Sequence, residues 1–129
     1  MQTKRVFRSI LISLVLTAAL TYAVRAWSTE GFGSYGSVTA IRRDTVVAVT
    51  VAGRNGWSIN TAYFAKVRLG AEVQAANEGL YKGISKDGSK ASEVTWYVES
   101  PAGTGKVQIV FCDARSCTTP VEGEFKVSQ

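Results

Sequence analysis

The chain has 129 residues, a formal net charge of +5, two cysteines and no histidine. Without histidine, Ser-His-Asp triads, the usual catalytic zinc sites and an imidazole proton shuttle are excluded. Four of the fifteen basic residues and none of the ten acidic ones lie in the first 26 positions. The other 103 residues therefore carry eleven basic and ten acidic side chains, a balance that gives no reason to expect binding to nucleic acid.

Residues 1–26 are typical of a secretory signal peptide. Three basic residues precede an apolar segment at 10–20, and small residues end the pattern at Ala26. Cleavage there would leave a periplasmic or secreted domain with no membrane contact. The alternative is an uncleaved inner-membrane anchor, but the uncharged stretch from Ile10 to Val24 has 15 residues, fewer than the ~20 of a spanning helix.

Residues 27–37, rich in glycine and serine, are predicted to be a flexible leader to a domain at 38–129. In that domain, alternating or β-branched runs bounded by turn residues predict strands. In chain order, these strands are expected at 45–52, 64–69, 93–99, 106–112 and 121–127. Residues 71–76 favour a loop or short strand, and 81–90 a turn. About seven short strands without a convincing helix indicate an all-β, immunoglobulin-like β-sandwich.

Two glycine motifs lack the context that phosphate binding requires. Residues 31–36 have the spacing G-x-G-x-x-G, but no predicted strand precedes them and no predicted helix follows. Residues 103–106 resemble the end of a phosphate-binding loop, yet Ser100 replaces its first glycine and Val107 its magnesium-binding hydroxyl. We therefore expect no cofactor, and no pattern of side chains predicts a metal site.

The last predicted strand carries a close acidic pair, Glu122 and Glu124. We interpret them as solvated charges on an edge strand rather than as a catalytic pair. A simple hairpin would place Ile109 and Phe111 on the same face as these glutamates. Since apolar and acidic side chains normally take opposite faces of a half-buried sheet, we expect a bulge near Pro120 or a strand that switches between sheets.

Cys112 and Cys117 flank a predicted hairpin turn of four residues, 113–116. Such a turn places the cysteines opposite each other, with Cβ atoms about 4.5–5.5 Å apart, from which a disulfide can form with small adjustment. The bond would close a loop of about six residues and stabilise the domain by roughly 2 kcal/mol, near the low end for disulfides. The pair is therefore either a reversible redox site or a structural staple, the commoner role in small exported domains.

Five segments carry a resemblance to a known family. They are GWSIN at 56–60, Tyr63, KVRL at 66–69, VQIVFCD at 107–113 and CTTP at 117–120. Together they resemble the immunoglobulin-like N-terminal domain of the thiol:disulfide interchange protein DsbD and its relatives. The resemblance implies a periplasmic domain in which Cys112 and Cys117 form a redox pair that passes electrons to exported thiol proteins.

The chain departs from that family at Ser58, where relatives often have histidine, and at Phe64, where proline is common. The membrane and thioredoxin-like domains that supply electrons in the family are not among these 129 residues. The resemblance therefore implies an external partner, an exported thiol or thioredoxin-like protein.

Two functions remain open. In thiol–disulfide interchange, the more exposed thiol is expected to react first, with Arg115 stabilising its thiolate and Asp113 opposing it. In the alternative, the chain is an exported binding or structural module and the disulfide is a staple. An exposed aromatic cluster would then mark the partner surface. The residues that could form it are Trp57, Tyr63 and Phe64, with Tyr97 as a further aromatic.

Overall fold

The computed structural model describes residues 31–64, 66–75 and 78–129. The predicted signal peptide and residues 27–30 of the predicted leader lie outside these ranges. No helix in the described ranges is both long and apolar enough to cross a membrane.

The described residues form eleven strands and no α-helix, which confirms the all-β prediction with more strands than the seven expected. In chain order, the strands are β1 Gly36–Arg43, β2 Val46–Gly53, β3 Ser58–Asn60, β4 Lys66–Leu69, β5 Glu72–Ala75, β6 Leu80–Lys82, β7 Lys90–Ala91, β8 Glu93–Glu99, β9 Thr104–Ile109, β10 Phe111–Cys112 and β11 Val121–Ser128.

Eight strands form one hydrogen-bonded sheet in the order β5-β4-β9-β11-β1-β2-β8-β6. Strand β1 joins its two halves: it pairs antiparallel with β2 along its whole length and parallel with β11 at Ala40 and Ile41. In the immunoglobulin fold, strands A, B, E and D form one layer and strands G, F and C the other, and variable-type domains add strands beside C. The half β1-β2-β8-β6 corresponds to A-B-E-D, and the half β11-β9-β4-β5 corresponds to G-F-C and one added strand. The predicted β-sandwich is therefore confirmed.

Alternation along the strands explains why the halves pack together. On β8, Val94, Trp96 and Val98 are buried while Tyr97 and Glu99 are exposed. The buried side chains of both halves belong to a single core. Its members from the main sheet are Ala40, Val47, Val49, Val51, Val67, Leu69, Val94, Trp96, Val98, Val107, Ile109 and Phe125. Each fully buried large side chain contributes about 1.5–3 kcal/mol relative to exposure, so this core is the main source of stability.

The described structure begins inside the predicted leader, and its first residues pack against the sandwich. The amide of Gly31 donates to the carbonyl of Glu124 at 3.0 Å, and Phe32 is buried. The Phe32 ring lies over Gly123, where an added Cβ would come within 2.7 Å of the ring. Strand β1 then starts at Gly36, two residues before the boundary predicted for the domain.

A second sheet of three short strands, in the order β10-β3-β7, lies at one end of the sandwich. Each strand comes from a different connection: β3 from between β2 and β4, β7 from between β6 and β8, and β10 from between β9 and β11. In variable immunoglobulin domains, connections at this end carry the binding loops. Here, backbone pairing joins three such connections into one platform.

The expected switch between sheets occurs at Val110. Up to Ile109 the chain pairs with β11, opposite Val121, whereas Phe111 pairs with Ile59 of the small sheet. The main sheet therefore keeps Ile109 inside, away from the glutamates of β11.

The prediction that the last strand lies at a sheet edge was wrong. Strand β11 lies between β9 and β1, and the edges of the main sheet are β5 and β6. The acidic pair is solvated as expected, and both carboxylates face Lys106 across the strands, with N–O distances of 3.9 Å to Glu122 and 3.7 Å to Glu124. The two glutamates therefore form ion pairs with a lysine on the outer face of the sheet and do not protect a sheet edge.

Candidate functional site

The two cysteines form a disulfide at the tip of the β10 hairpin. They are antiparallel partners with Cα atoms 3.9 Å apart. Hydrogen bonds lie on either side of the pair, from Thr118 N to Phe111 O at 2.7 Å and from Asp113 N to Ser116 O at 2.9 Å. The cysteines are therefore a non-hydrogen-bonded pair, the arrangement that brings opposite side chains closest. The predicted turn and the predicted pairing are both present.

Asp113 forms the turn between the cysteines. Its Oδ1 accepts hydrogen bonds from the amides of Arg115 and Ser116, both at 2.8 Å. These bonds, first from Ser116 and then from Arg115, lower the pKa of the Asp113 carboxyl below its usual value because they stabilise the charged form. The carboxylate thus organises the loop, while the Arg115 side chain lies exposed on it.

The other two connections of the small sheet hold the hairpin. The carbonyl of Val110 accepts from Asn60 N at 2.9 Å. From β7, beyond β3 in the small sheet, the Lys90 Nζ donates to the carbonyl of Asp113 at 3.1 Å, next to the disulfide. Cys112 itself pairs with Ser58, the position at which the chain departs from the resembled family.

The two halves of the disulfide differ sharply in solvent access. Cys112 is 2% exposed, because it lies in β10 beside β3 and next to buried Phe111. Cys117 is in the exposed class, because it follows the turn and pairs only with Cys112 in an isolated bridge. A reagent can therefore approach the bond from the Cys117 side alone.

Aromatic rings below the hairpin fix its base. Phe111 is fully buried, with its ring edge-on to Phe32 at a centroid distance of 5.1 Å and stacked on Tyr35 at 5.7 Å. A Cβ at Gly36 would come within 2.9 Å of the Phe111 ring, so the start of β1 can approach only because it is glycine. The rings anchor the strand that carries Cys112 to the main core.

The three aromatic residues proposed as a partner surface are not exposed as one cluster. Trp57 is half-buried, edge-on to Tyr35 at 4.9 Å. Tyr63 is also half-buried, and its hydroxyl donates to Gln108 Oε1 at 3.3 Å. Only Phe64 of the three is strongly exposed, at 72%.

Sequence reasoning did not single out Lys90 as part of this site. It lies 23 positions from Asp113, and it reaches the hairpin only because β7 pairs with β3. No periodic pattern predicts the pairing of strands this short. Within the described ranges, no group of three or more His, Cys, Asp or Glu residues could hold a metal ion.

No protein-family model matches the chain. Neither the curated proteins nor the solved structures provide a match. The class of the protein is accordingly defined by its own fold and site: an immunoglobulin-like β-sandwich with a disulfide-closed hairpin at its loop end.

Proposed function

We propose that the chain is an exported domain that exchanges disulfides with partner thiols through Cys112 and Cys117. The observation that carries the proposal is the asymmetry of the bond, with Cys117 exposed and Cys112 buried. Because only one cysteine is exposed, a partner thiolate would attack the sulfur of Cys117, and the buried Cys112 would be the leaving group. The signal-like residues 1–26 and the disulfide itself both favour an oxidising, exported location.

The exchange proceeds by two thiolate displacements. A partner thiolate attacks the Cys117 Sγ, forming a mixed disulfide, and the Cys112 Sγ leaves as a thiolate that takes a proton from solvent. The partner's second thiolate then attacks its own sulfur in the mixed disulfide and releases Cys117. Two electrons pass from the partner dithiol to the pair, so the partner is oxidised, and the reverse sequence reduces a partner disulfide. No general base is required, so the lack of histidine is no obstacle.

A dithiol protein of the export compartment is the partner that fits this chemistry. The resemblance to the N-terminal domain of DsbD supports a thioredoxin-like protein, since the matching segments include both cysteines. The rigid three-stranded platform around the hairpin also supports the proposal. It keeps Cys117 displayed in either redox state, because the hairpin hydrogen bonds do not depend on the sulfur–sulfur bond.

The deciding measurement is the reduction potential of the pair, by thiol trapping of the purified domain across a glutathione series. We expect a value within the range of exchange proteins, about −120 to −270 mV. A value below about −300 mV would identify a structural disulfide instead.

Single-cysteine variants test the proposed direction. In Cys112→Ser the remaining Cys117 thiolate should form mixed disulfides with an aromatic disulfide reagent and with the oxidised, disulfide form of a thioredoxin-like protein. In Cys117→Ser the remaining Cys112 is buried and should react at least about tenfold more slowly. Equal rates in the two folded variants would contradict the assignment of Cys117 as the attacked sulfur.

A non-catalytic module is the second candidate, favoured by the burial of Cys112 beside the core residue Phe111. In that case the disulfide fastens the hairpin to the platform and the loop end binds a partner without exchange. Replacing both cysteines with alanine distinguishes the two functions. A staple should lose stability and keep binding, whereas an exchange domain should remain folded and lose all exchange.

A further inference from the structure

The outer face of the half-sheet β1-β2-β8-β6 exposes an unusual amount of apolar surface. Among the described residues, seven large hydrophobic side chains are exposed. Four of them lie on these strands: Ile41, Val46, Leu80 and Tyr97, with exposures of 49%, 36%, 63% and 55%. Strand register aligns Ile41 with Ala48 and Ala48 with Tyr97, so these side chains form rows on one face.

The centre of this face carries no charge. Next to the row of Ile41, Ala48 and Tyr97 runs a row of threonines, in which Thr50 Oγ1 and Thr95 Oγ1 are hydrogen-bonded at 3.0 Å. The outer face of the other half-sheet is different. It carries Lys66, Arg68, Lys106, Glu122 and Glu124, all exposed. In a sheet with one face open to water, the side chains that point to water are normally polar. An uncharged apolar face on that side is typical of an interaction surface.

Charges appear on this face only at its margins, and two of them are placed symmetrically. Arg43 on β1 and Glu99 on β8 flank Val46 of β2 in one row. The Glu99 carboxylate accepts a hydrogen bond from Thr45 Oγ1 at 3.1 Å, which holds it at the margin. A positive and a negative side chain therefore stand on opposite sides of the same strand.

We infer that this face binds a second copy of the chain about a two-fold axis that runs along β2. Such an axis exchanges the strands that flank β2, so that β1 of one copy lies over β8 of the other. Arg43 then faces the partner's Glu99, and because the interface is isologous, the same ion pair forms twice. In the next row Ile41 faces the partner's Tyr97, while Val46 and Ala48 pack near their own symmetry mates.

The packing geometry of sheets permits these contacts. Facing sheets lie about 10 Å apart with strand directions within about 30° of each other. That rotation displaces the end row sideways by a few ångströms, an offset that the long arginine side chain can span. An axis along any other strand of this face would not place Arg43 over the partner's Glu99. The arrangement of the two charges is therefore complementary to itself, and this favours a second copy over an unrelated apolar partner.

The size of the face limits the strength of the dimer. The strands of this face lie about 4.8 Å apart, and β1, β2 and β8 are about 23–26 Å long while the three-residue β6 is about 10 Å long, so the face covers roughly 400 Å² per copy. The total of about 800 Å² lies below the range of stable complexes, so we expect association in the high micromolar to millimolar range. The disulfide lies in the small sheet and not on this face, and dimerisation is independent of the proposed exchange.

Charge reversal tests the inference. Self-association is measured by sedimentation of the protein purified after export, at concentrations up to about 1 mM, which reaches the weak end of the expected affinity range. Wild type should approach the dimer mass with rising concentration. Arg43→Glu and Glu99→Arg should each sediment as monomers, because each places like charges against one another twice. The double variant Arg43→Glu/Glu99→Arg should dimerise again, since it restores both pairs with exchanged signs.

A matched control and a second variant keep the test independent of misfolding. Arg68→Glu makes the same charge change on the other half-sheet and should leave the dimer intact. Tyr97→Ser removes apolar contact without altering charge and should weaken it. Circular dichroism of each variant reports folding. A monomeric wild type at every concentration, as expected if this face serves another occupant, would overturn the inference, and so would a double variant that fails to regain the dimer.

Discussion

Asp113 acts on the candidate site through the backbone. Its carboxylate accepts from the amides of Arg115 and Ser116 and so closes the turn that carries Cys117 back toward Cys112. From sequence, this side chain was considered only as a charge opposing a thiolate. The structure adds a turn-forming role, because both amides bonded to the carboxylate belong to the turn between the cysteines.

Replacing Asp113 should therefore loosen the hairpin. In Asp113→Ala the amides of Arg115 and Ser116 lose their acceptor, and their hydrogen exchange should accelerate by about tenfold or more. The reduction potential of the pair should become less negative, because the reduced hairpin no longer holds the thiols together. Asp113→Asn keeps an oxygen in the same position and serves as the control. If both variants behave alike, the carboxylate acts by charge and not by organising the turn.

At the scale of elements, the small sheet shows what local pattern cannot predict. Strand β8 was predicted with its observed bounds, because seven residues are enough to display alternation between buried Val94, Trp96 and Val98 and their half-buried or exposed neighbours. Strands β3, β7 and β10 have two or three residues each, too few for any period. Their pairing is decided by the sandwich, which brings three distant connections to one end.

None of the predicted strands corresponds to β1, and its first two residues were assigned to the leader. Its first residue, Gly36, belongs to a Gly- and Ser-rich segment that local rules assign to a loop. The glycine is required by a contact remote in sequence, since its Cα faces the ring of Phe111, where an added Cβ would lie 2.9 Å away. Composition therefore pointed to a leader, while the packing of one ring made the segment part of the fold.

The connection between β6 and β7 has its own pH-sensitive turn. Asp87 Oδ1 accepts hydrogen bonds from the Ser89 amide at 3.0 Å and from the hydroxyls of Ser89 and Ser85, both at 2.7 Å. These bonds, led by those from Ser89, lower the pKa of Asp87 to about 2. In the unfolded chain the value is about 3.9. The turn is therefore fully stabilised above about pH 4 and loses that contribution as pH falls toward 2.

An acid titration followed by NMR tests this turn. The Ser89 amide resonance should stay constant down to about pH 4 and then shift with a midpoint near pH 2, the pKa of Asp87. In Asp87→Asn the Ser89 amide should show no such transition, because no carboxyl remains to protonate. A wild-type midpoint near 4, the unfolded value, would mean that the hydrogen bonds do not form in solution.

On the scale of the whole molecule, the centre of the core and the disulfide lie in different parts of the fold. Both halves of the main sheet contribute to one core, and β1 joins them, whereas the disulfide lies at the loop end. Alternation predicted the β-sandwich, and the hairpin spacing predicted the cysteine pair. The difference in exposure between Cys112 and Cys117 could not be predicted, because it depends on β3 lying beside one cysteine and not the other.

This separation leads to a quantitative expectation for the reduced protein. The disulfide closes a loop of only about six residues, so reducing it should lower the free energy of unfolding by roughly 2 kcal/mol, leaving a folded domain. The hairpin hydrogen bonds and the packing of Phe111 do not require the bond. Urea unfolding of the same protein with and without reductant, followed by tryptophan fluorescence, measures the difference without any substitution. Unfolding on reduction alone would show that the bond holds more of the molecule than its loop, which is the behaviour of a staple and not of a pair that must survive reduction in every cycle.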